Sequence, residues 1–129
     1  MIRTWELAKS YHRRPALLGI DLEVPDNVVF GYLGPNGAGK TTTIRLLVGL
    51  LRPTSGRAEL LGMDTVRDRD QMQRRIGYLP GEFVAYPDLT GEEYLRYLAN
   101  LRGGVNWSIV EGMAKRFDLD LTGRIGALS

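Results

Sequence analysis

The ten residues GPNGAGKTTT, Gly34 to Thr43, restrict this chain more than any other stretch. They meet the pattern G-x-x-x-x-G-K-[ST] through Gly34, Gly39, Lys40 and Thr41. Chance would place that pattern somewhere in a chain of this size with odds of about half a per cent. The context narrows the reading further. Val28 to Leu33 is a mostly apolar run of strand length that follows a Pro25-Asp26-Asn27 turn. From Lys40 to Leu51 the apolar residues Ile44, Leu47, Val48 and Leu51 fall at helical spacing, until Pro53 and Gly56 stop the pattern. Strand, glycine-rich turn and helix together make a phosphate cradle. Gly34, Gly37 and Gly39 let successive N–H groups turn inward, and the helix start adds partial positive charge. In such a loop Lys40 reaches the β- and γ-phosphates, the Thr41 hydroxyl ligates Mg²⁺, and Thr42 is a further phosphate contact. The bland alternative is a glycine-rich turn that binds nothing.

The rest of the chain reads as sheet first and helix later. Ile2 to Leu7 and Leu18 to Val24 alternate as strands, with Leu18, Ile20, Leu22 and Val24 on one face and Asp21 and Glu23 on the other. Arg57 to Leu61 and Ile76 to Leu79 are short strand candidates, separated by the charged stretch DTVRDRDQMQRR, which predicts a surface helix. Thr90 with Glu93 forms a capping box, with Leu89 and Tyr94 placed as a hydrophobic staple. The helix they open carries Tyr94, Leu95, Tyr97, Leu98 and Leu101 and ends at Gly103-Gly104. Ser108 with Glu111 predicts a second start, with Ile109, Val110, Met113 and Phe117 inward.

Composition excludes several classes. A net charge of +2, with arginines scattered at Arg13-Arg14, Arg67, Arg69 and Arg74-Arg75, offers no nucleic-acid patch. The chain has no cysteine, so it has no disulfide and no thiolate metal site, which fits a cytosolic protein. The N-terminal residues lack the apolar core of a signal peptide, and no stretch approaches the roughly 18 apolar residues of a membrane span.

The loop motif alone does not choose among kinases, GTPases and transport ATPases; the surrounding residues do. GPNGAGKTTT, LLRPTSGRAELLGMD and RRIGYLPGEFVAYPDLTGEEYLRYLANLRG resemble the ATP-binding domain of ABC transporters over nearly the whole chain, nearest in flavour to the bacterial export type with a separate membrane subunit. The fold this implies is α/β: a P-loop NTPase core with N-terminal antiparallel β strands (1–81) and the beginning of an ABC-type helical subdomain (82–129). The implied ligands are ATP and Mg²⁺. Nucleotide contacts are implied at Gly34, Pro35, Asn36, Gly37, Ala38, Gly39, Lys40, Thr41 and Thr42, with Thr41 on the metal. Tyr11 matches the aromatic residue that stacks on adenine, a task for a flat apolar ring face. The bland reading of Tyr11 is the end of an edge strand, and His12 beside it reads as an exposed loop residue rather than a general base. The implied partners are a membrane-spanning subunit and a second ATP-binding subunit, which places the protein in the cytoplasm at the inner face of the membrane.

Two departures qualify the resemblance. Where the family carries a glutamine after IGYLP, this chain has Gly81 followed by Glu82, so either Glu82 substitutes or the contact is missing. The family's Leu-Ser-Gly-Gly-Gln signature is represented by Leu128-Ser129 alone, and no apolar run followed by paired acids occurs in the 129 residues. The expectation is an N-terminal fragment that holds ATP but has no catalytic residues of its own. The family places the phosphate-loop strand and the strand at Ile76 to Leu79 apart, with other strands between them, so unpaired apolar edges and poor solubility are expected. Two other readings stay open. One is a short regulatory module that captures ATP and docks a partner through Pro87 to Leu119. The other is a small phosphotransferase with Arg67 to Arg75 as lid, although no acceptor site is visible.

Overall fold

Alternating apolar residues near the N-terminus build a long antiparallel hairpin, β1 (Ile2–Tyr11) and β2 (Arg14–Val24). Both strands run longer than the sequence pattern predicts, because His12 and Arg13, at φ 43° and 67°, close a two-residue turn whose twist matches that of the strands. The computed structural model, which describes residues 1–81 and 85–127, adds β3 (Ser55–Leu60) and β4 (Met63–Asp64) in the order β2-β1-β3-β4. One expectation fails inside the hairpin. Pairing runs Leu7 to Ile20 and then Ala8 to Leu18, so Gly19 is an extra residue in a bulge. The bulge shifts the alternation by one: Leu17 is buried and Leu18 is 84% exposed.

Helix α1 (Lys40–Leu47) lies on this sheet, and Leu7, Leu17, Leu46, Leu47 and Ala58 form the buried cluster between them. The buried face of α1 is Thr43, Leu46 and Leu47; of the predicted row, Leu47 is buried and Leu51 packs against the cluster, but Ile44 is exposed. Thr43 tolerates full burial because its hydroxyl donates to the Gly39 carbonyl at 3.0 Å. The helix also ends earlier than Pro53 and Gly56 would stop it. Gly49, at φ 73°, donates to Leu46 O, and Leu50 N–H donates to Arg45 O, the Schellman pattern.

The charged stretch after β4 holds only a short helix, α2 (Arg69–Gln73), and its Met72 is fully buried. Asp64 organises the approach to it. Its Oδ1 accepts the N–H groups of Val66 and Arg67 at 2.9 Å each. Burial by itself would raise the Asp64 pKa, but these two amides and the charges of Arg67 and Arg57 outweigh it and hold the carboxyl below its usual range.

Val28 to Leu33 and Ile76 to Leu79 are not strands. A strand needs a neighbouring strand to pair with, and among the described residues neither segment takes a place in the sheet. Their apolar side chains therefore stand in solvent: Val29 and Leu33 are almost fully exposed, as is most of Leu79.

The chain divides into two compact units, Met1–Tyr78 and Leu79–Ser129. In the second unit, α3 (Gly91–Leu101) starts at the predicted capping box, with Glu93 N–H donating to Thr90 Oγ1 and Thr90 N–H to Glu93 Oε2. The residues before it are laced to a later segment through Gly91 N–H to Gly123 O, Ile125 N–H to Leu89 O and Gly126 N–H to Pro87 O. Helix α4 (Trp107–Arg116) is capped by Asn106, not Ser108: Asn106 Oδ1 accepts the Ser108 N–H and hydroxyl at 3.2 and 2.8 Å. Arg96 of α3 stacks over the Trp107 ring at 4.0 Å. The predicted inward row of α4 is displaced too. Ala114 is the buried residue, and Ile109, Met113 and Phe117 are exposed.

Two outcomes follow from these features. The Asp64 carboxyl has a lower pKa folded than unfolded, so its contribution is complete above the ordinary carboxylate range and is lost as pH falls through the folded value. Asp64→Asn is expected to cost about 1 kcal/mol at neutral pH, a deficit that shrinks on acidification. Melting curves across pH check this, and a pH-independent deficit would contradict it. The exposed Val29 segment is expected to drive self-association of the 129-residue chain. Light scattering should show this lowered by Val29→Lys, and a monodisperse parent that melts cooperatively would count against it.

Candidate functional site

The loop before α1 is shaped by backbone first. Gly37 and Gly39 lie at φ 82° and 84°, a region that side chains disfavour. Gly39 is also the N-cap of α1, and a Cβ there would lie 2.6 Å from the Ala16 carbonyl of β2. The helix start is therefore pressed against the hairpin. No side chain caps this end and no acidic residue sits in the first turn. The first-turn amides and the positive end of the helix are thus left open to an anion.

Lys40 holds the loop from within. Its Nζ donates to the carbonyls of Gly34 and Pro35 at 2.6 and 2.7 Å, and Ala38 N–H donates to Pro35 O at 3.2 Å. An ammonium has three donors, so two can shape the loop while the charge stays at its centre. Behind it, the Tyr32 hydroxyl lies 3.3 Å from Thr43 Oγ1, tying the segment that enters the loop to the buried side of α1.

In front, Ala16, Asn36, Gly37, Gly39, Lys40, Thr41 and Thr42 line one open cleft of about 280 Å³. The structure thus brings Asn36, Gly37, Gly39, Lys40, Thr41 and Thr42 together, with Gly34 and Pro35 as the carbonyl partners of Lys40 and Ala38 folded back on Pro35. Ala16 was not legible in the sequence, because a small apolar residue in a strand carries no chemical signal; only the packing of β2 against Gly39 reveals it. Tyr11 does not line the cleft; it ends β1, paired with Arg14 across the hairpin turn, and its ring is 42% exposed.

The donor set suits a phosphate: one ammonium, two threonine hydroxyls and helix amides, with no carboxylate. Among the described residues no group of three or more His, Cys, Asp or Glu could hold a metal. Mg²⁺ usually takes few protein ligands and completes its shell with waters and phosphate oxygens, so the Thr41 hydroxyl fits an ion that arrives with a phosphate. A larger recess of about 460 Å³ lies between residues 49–52 and 65–71. Its acids are already engaged, Asp68 with the Asp64 N–H and Asp70 with Arg69 at 3.0 Å, so size does not make it the site. Gly81 has open space around it; Glu82, Leu128 and Ser129 lie outside the described residues. No helix among those residues is long and apolar enough to cross a membrane.

The chain is similar to known proteins in sequence and in fold. The profile of the ABC transporter family matches residues 17–124. The daunorubicin/doxorubicin resistance ATP-binding protein DrrA of Streptomyces peucetius is 45% identical over 103 residues, which cover 79% of this chain and 31% of that protein. The chain therefore spans about a third of the length of this curated relative. Among solved structures, the ATP-binding subunit of an ABC transporter superposes with a TM-score of 0.84 at 27% identity, covering 100% of this chain and 56% of the other. An ATP-binding cassette solved as a dimer in a post-hydrolysis state with ADP and Pi has a TM-score of 0.82 at 21% identity, covering 100% of this chain and 63% of the other, a likeness of fold.

The two left-handed glycines separate conformation from contact. A Cβ at Gly37 meets nothing within 4 Å, whereas at Gly39 it meets the Ala16 carbonyl. Gly37→Ala is expected to cost about 1–2 kcal/mol from its backbone alone, and Gly39→Ala clearly more. Thermal melts of the two variants check this, and equal losses would contradict the close approach to β2.

Proposed function

The chain belongs to the ABC transporter family, and we propose that it is the N-terminal portion of an ATP-binding subunit, which holds ATP with Mg²⁺ in the cleft at the start of α1. One observation carries the reading: Gly37, Gly39, Lys40, Thr41 and Thr42 converge on a single cleft that is otherwise free of negative charge. In this reading the loop amides and Lys40 bind the phosphates, with Gly34, Pro35, Asn36 and Ala38 forming the rest of the cradle. Thr41 supplies the protein ligand to Mg²⁺, and Thr42 gives a second hydroxyl. Tyr11 offers its ring to the adenine. Residues 1–81 form the N-terminal part of the core and 82–129 the start of the helical subdomain, a division supported by the two compact units meeting at 78/79.

The complete protein, in the same reading, pairs with a membrane-spanning subunit and with a second ATP-binding subunit at the cytoplasmic face of the membrane. The family itself supports a transport role, and a protein of like fold solved as a dimer supports the second of these. Coupled hydrolysis belongs to that assembly. The 129 residues contain no apolar run ending in paired acids to position and polarise a water, so this chain binds ATP without turning it over.

Lys40→Ala is expected to weaken ATP binding at least about tenfold by deleting the charge that faces the phosphates, with calorimetric titration as the measurement and a melting curve to confirm folding. Unchanged affinity in a folded variant would overturn the site. Steady-state ATPase activity of the parent chain should equal that of buffer. A Mg²⁺-dependent turnover that Lys40→Ala removes would overturn the division between holding and cutting.

A further inference from the structure

The end of β1 is tied to the segment that follows α1 by more than sheet pairing. Thr54 N–H donates to Ala8 O at 2.9 Å, and Ser10 N–H donates to Thr54 Oγ1 at 3.0 Å. A further tie is made by a side chain. Lys9 Nζ donates to the Arg52 carbonyl at 2.7 Å, just beyond the glycine stop of α1. Residues two apart on a strand share a face, and Lys9 and Tyr11 do so here: the same Nζ stands 5.3 Å from the centroid of the Tyr11 ring. One ammonium thus engages a backbone carbonyl and the face of an aromatic ring at once.

We propose that Lys9 is a positioning residue for the base of the nucleotide: its ammonium, anchored on the Arg52 carbonyl, braces one face of the Tyr11 ring so that the other is set for stacking. The inference rests on the nucleotide reading above and adds a residue which that reading does not use. Its physical basis is preorganisation. A half-exposed tyrosine at the tip of a hairpin samples several ring orientations, and stacking a base on it would have to restrict them. A cation held over one face removes part of that freedom before the base arrives. The anchor also orients the ring relative to the phosphate cradle. Arg52 lies past the turn that closes the C-terminal end of α1, and the cradle is at that helix's N-terminal end, so the brace and the phosphate loop are linked through α1 and that turn. On the other strand of the hairpin, Ala16 touches the loop at Gly39. The hairpin that carries Tyr11 is therefore referenced to both ends of the same loop and helix.

A ligand pair separates a base-side effect from a phosphate-side one. ATP uses the loop and the ring, whereas inorganic tripolyphosphate uses the loop alone. Lys9→Met keeps the length and apolar stem of the side chain and deletes the charge. It is expected to weaken ATP binding by about threefold and to leave tripolyphosphate within twofold of the parent, in the 129-residue chain with melting temperature as the folding check. Lys9→Arg, which retains a donor and a cation, should recover most of the ATP affinity. Lys9→Met combined with Tyr11→Ala should bind ATP no more weakly than Tyr11→Ala alone, because the brace has no effect without the ring. Equal loss for both ligands, no loss for either, or full additivity with Tyr11→Ala would overturn the proposal. A parent chain that binds tripolyphosphate but gains nothing from adenosine removes the role of Tyr11 and this inference with it. A parent chain that binds neither ligand removes the site itself.

Discussion

A left-handed glycine at each end of α1 stands where a Cβ would crowd its neighbours, backbone at the start and both side chain and backbone at the finish. At the start, the Ala16 carbonyl stands 2.6 Å from where a Cβ on Gly39 would be; at the finish, the Thr65 carbonyl stands 3.0 Å and Arg69 Cγ 2.8 Å from the same point on Gly49. Both glycines are left-handed, so each position is closed to other residues on conformation as well as on space. This double contact sets the helix between the hairpin and the loop before α2. The direction in which its first-turn amides point then follows from the seating of the helix, and the cleft is where it is for that reason.

The interior behind the cleft is apolar and the front is polar, with little in between. Leu7, Leu17, Leu46, Leu47 and Ala58 fill the space between sheet and helix, and Thr43 joins them because its hydroxyl is satisfied within its own turn. At the first residue of the same helix, Lys40 gathers the Gly34 and Pro35 carbonyls inward. The Pro35 carbonyl turned toward the ammonium directs the Asn36 N–H of the same peptide away from it, whereas the Gly34–Pro35 peptide has no N–H to offer. The lysine thus shapes the loop and also keeps a positive charge beside the place a phosphate would take.

Much of this was legible in the residues. The loop, the helix that follows it and the capping box at Thr90 and Glu93 depend on interactions between residues a few positions apart, and the structure has them where the sequence puts them. Facing and termination were less legible. Leu17 and Leu18 exchanged places because Gly19 bulges, α1 turned its Thr43 face rather than its Ile44 face inward, and Asn106 capped α4 in place of Ser108. In each case two local solutions one or two residues apart are nearly equal, and contact with another element selects one. Ala16 in the cleft and the anchoring of Lys9 on the Arg52 carbonyl are products of tertiary packing and could not be seen without it.

What the sequence determined by itself is the glycine-rich loop and the donors it offers, because a glycine-rich turn running into a helix with lysine and threonine at its start is written in consecutive residues. What the tertiary structure decided is which segments are strands. Val28 to Leu33 has the composition of a buried strand, yet it forms none, whereas Ile2 to Val24 forms a longer hairpin than its alternation alone implies. A strand is completed by the N–H and C=O groups of a neighbour, and no apolar pattern within one segment can supply them.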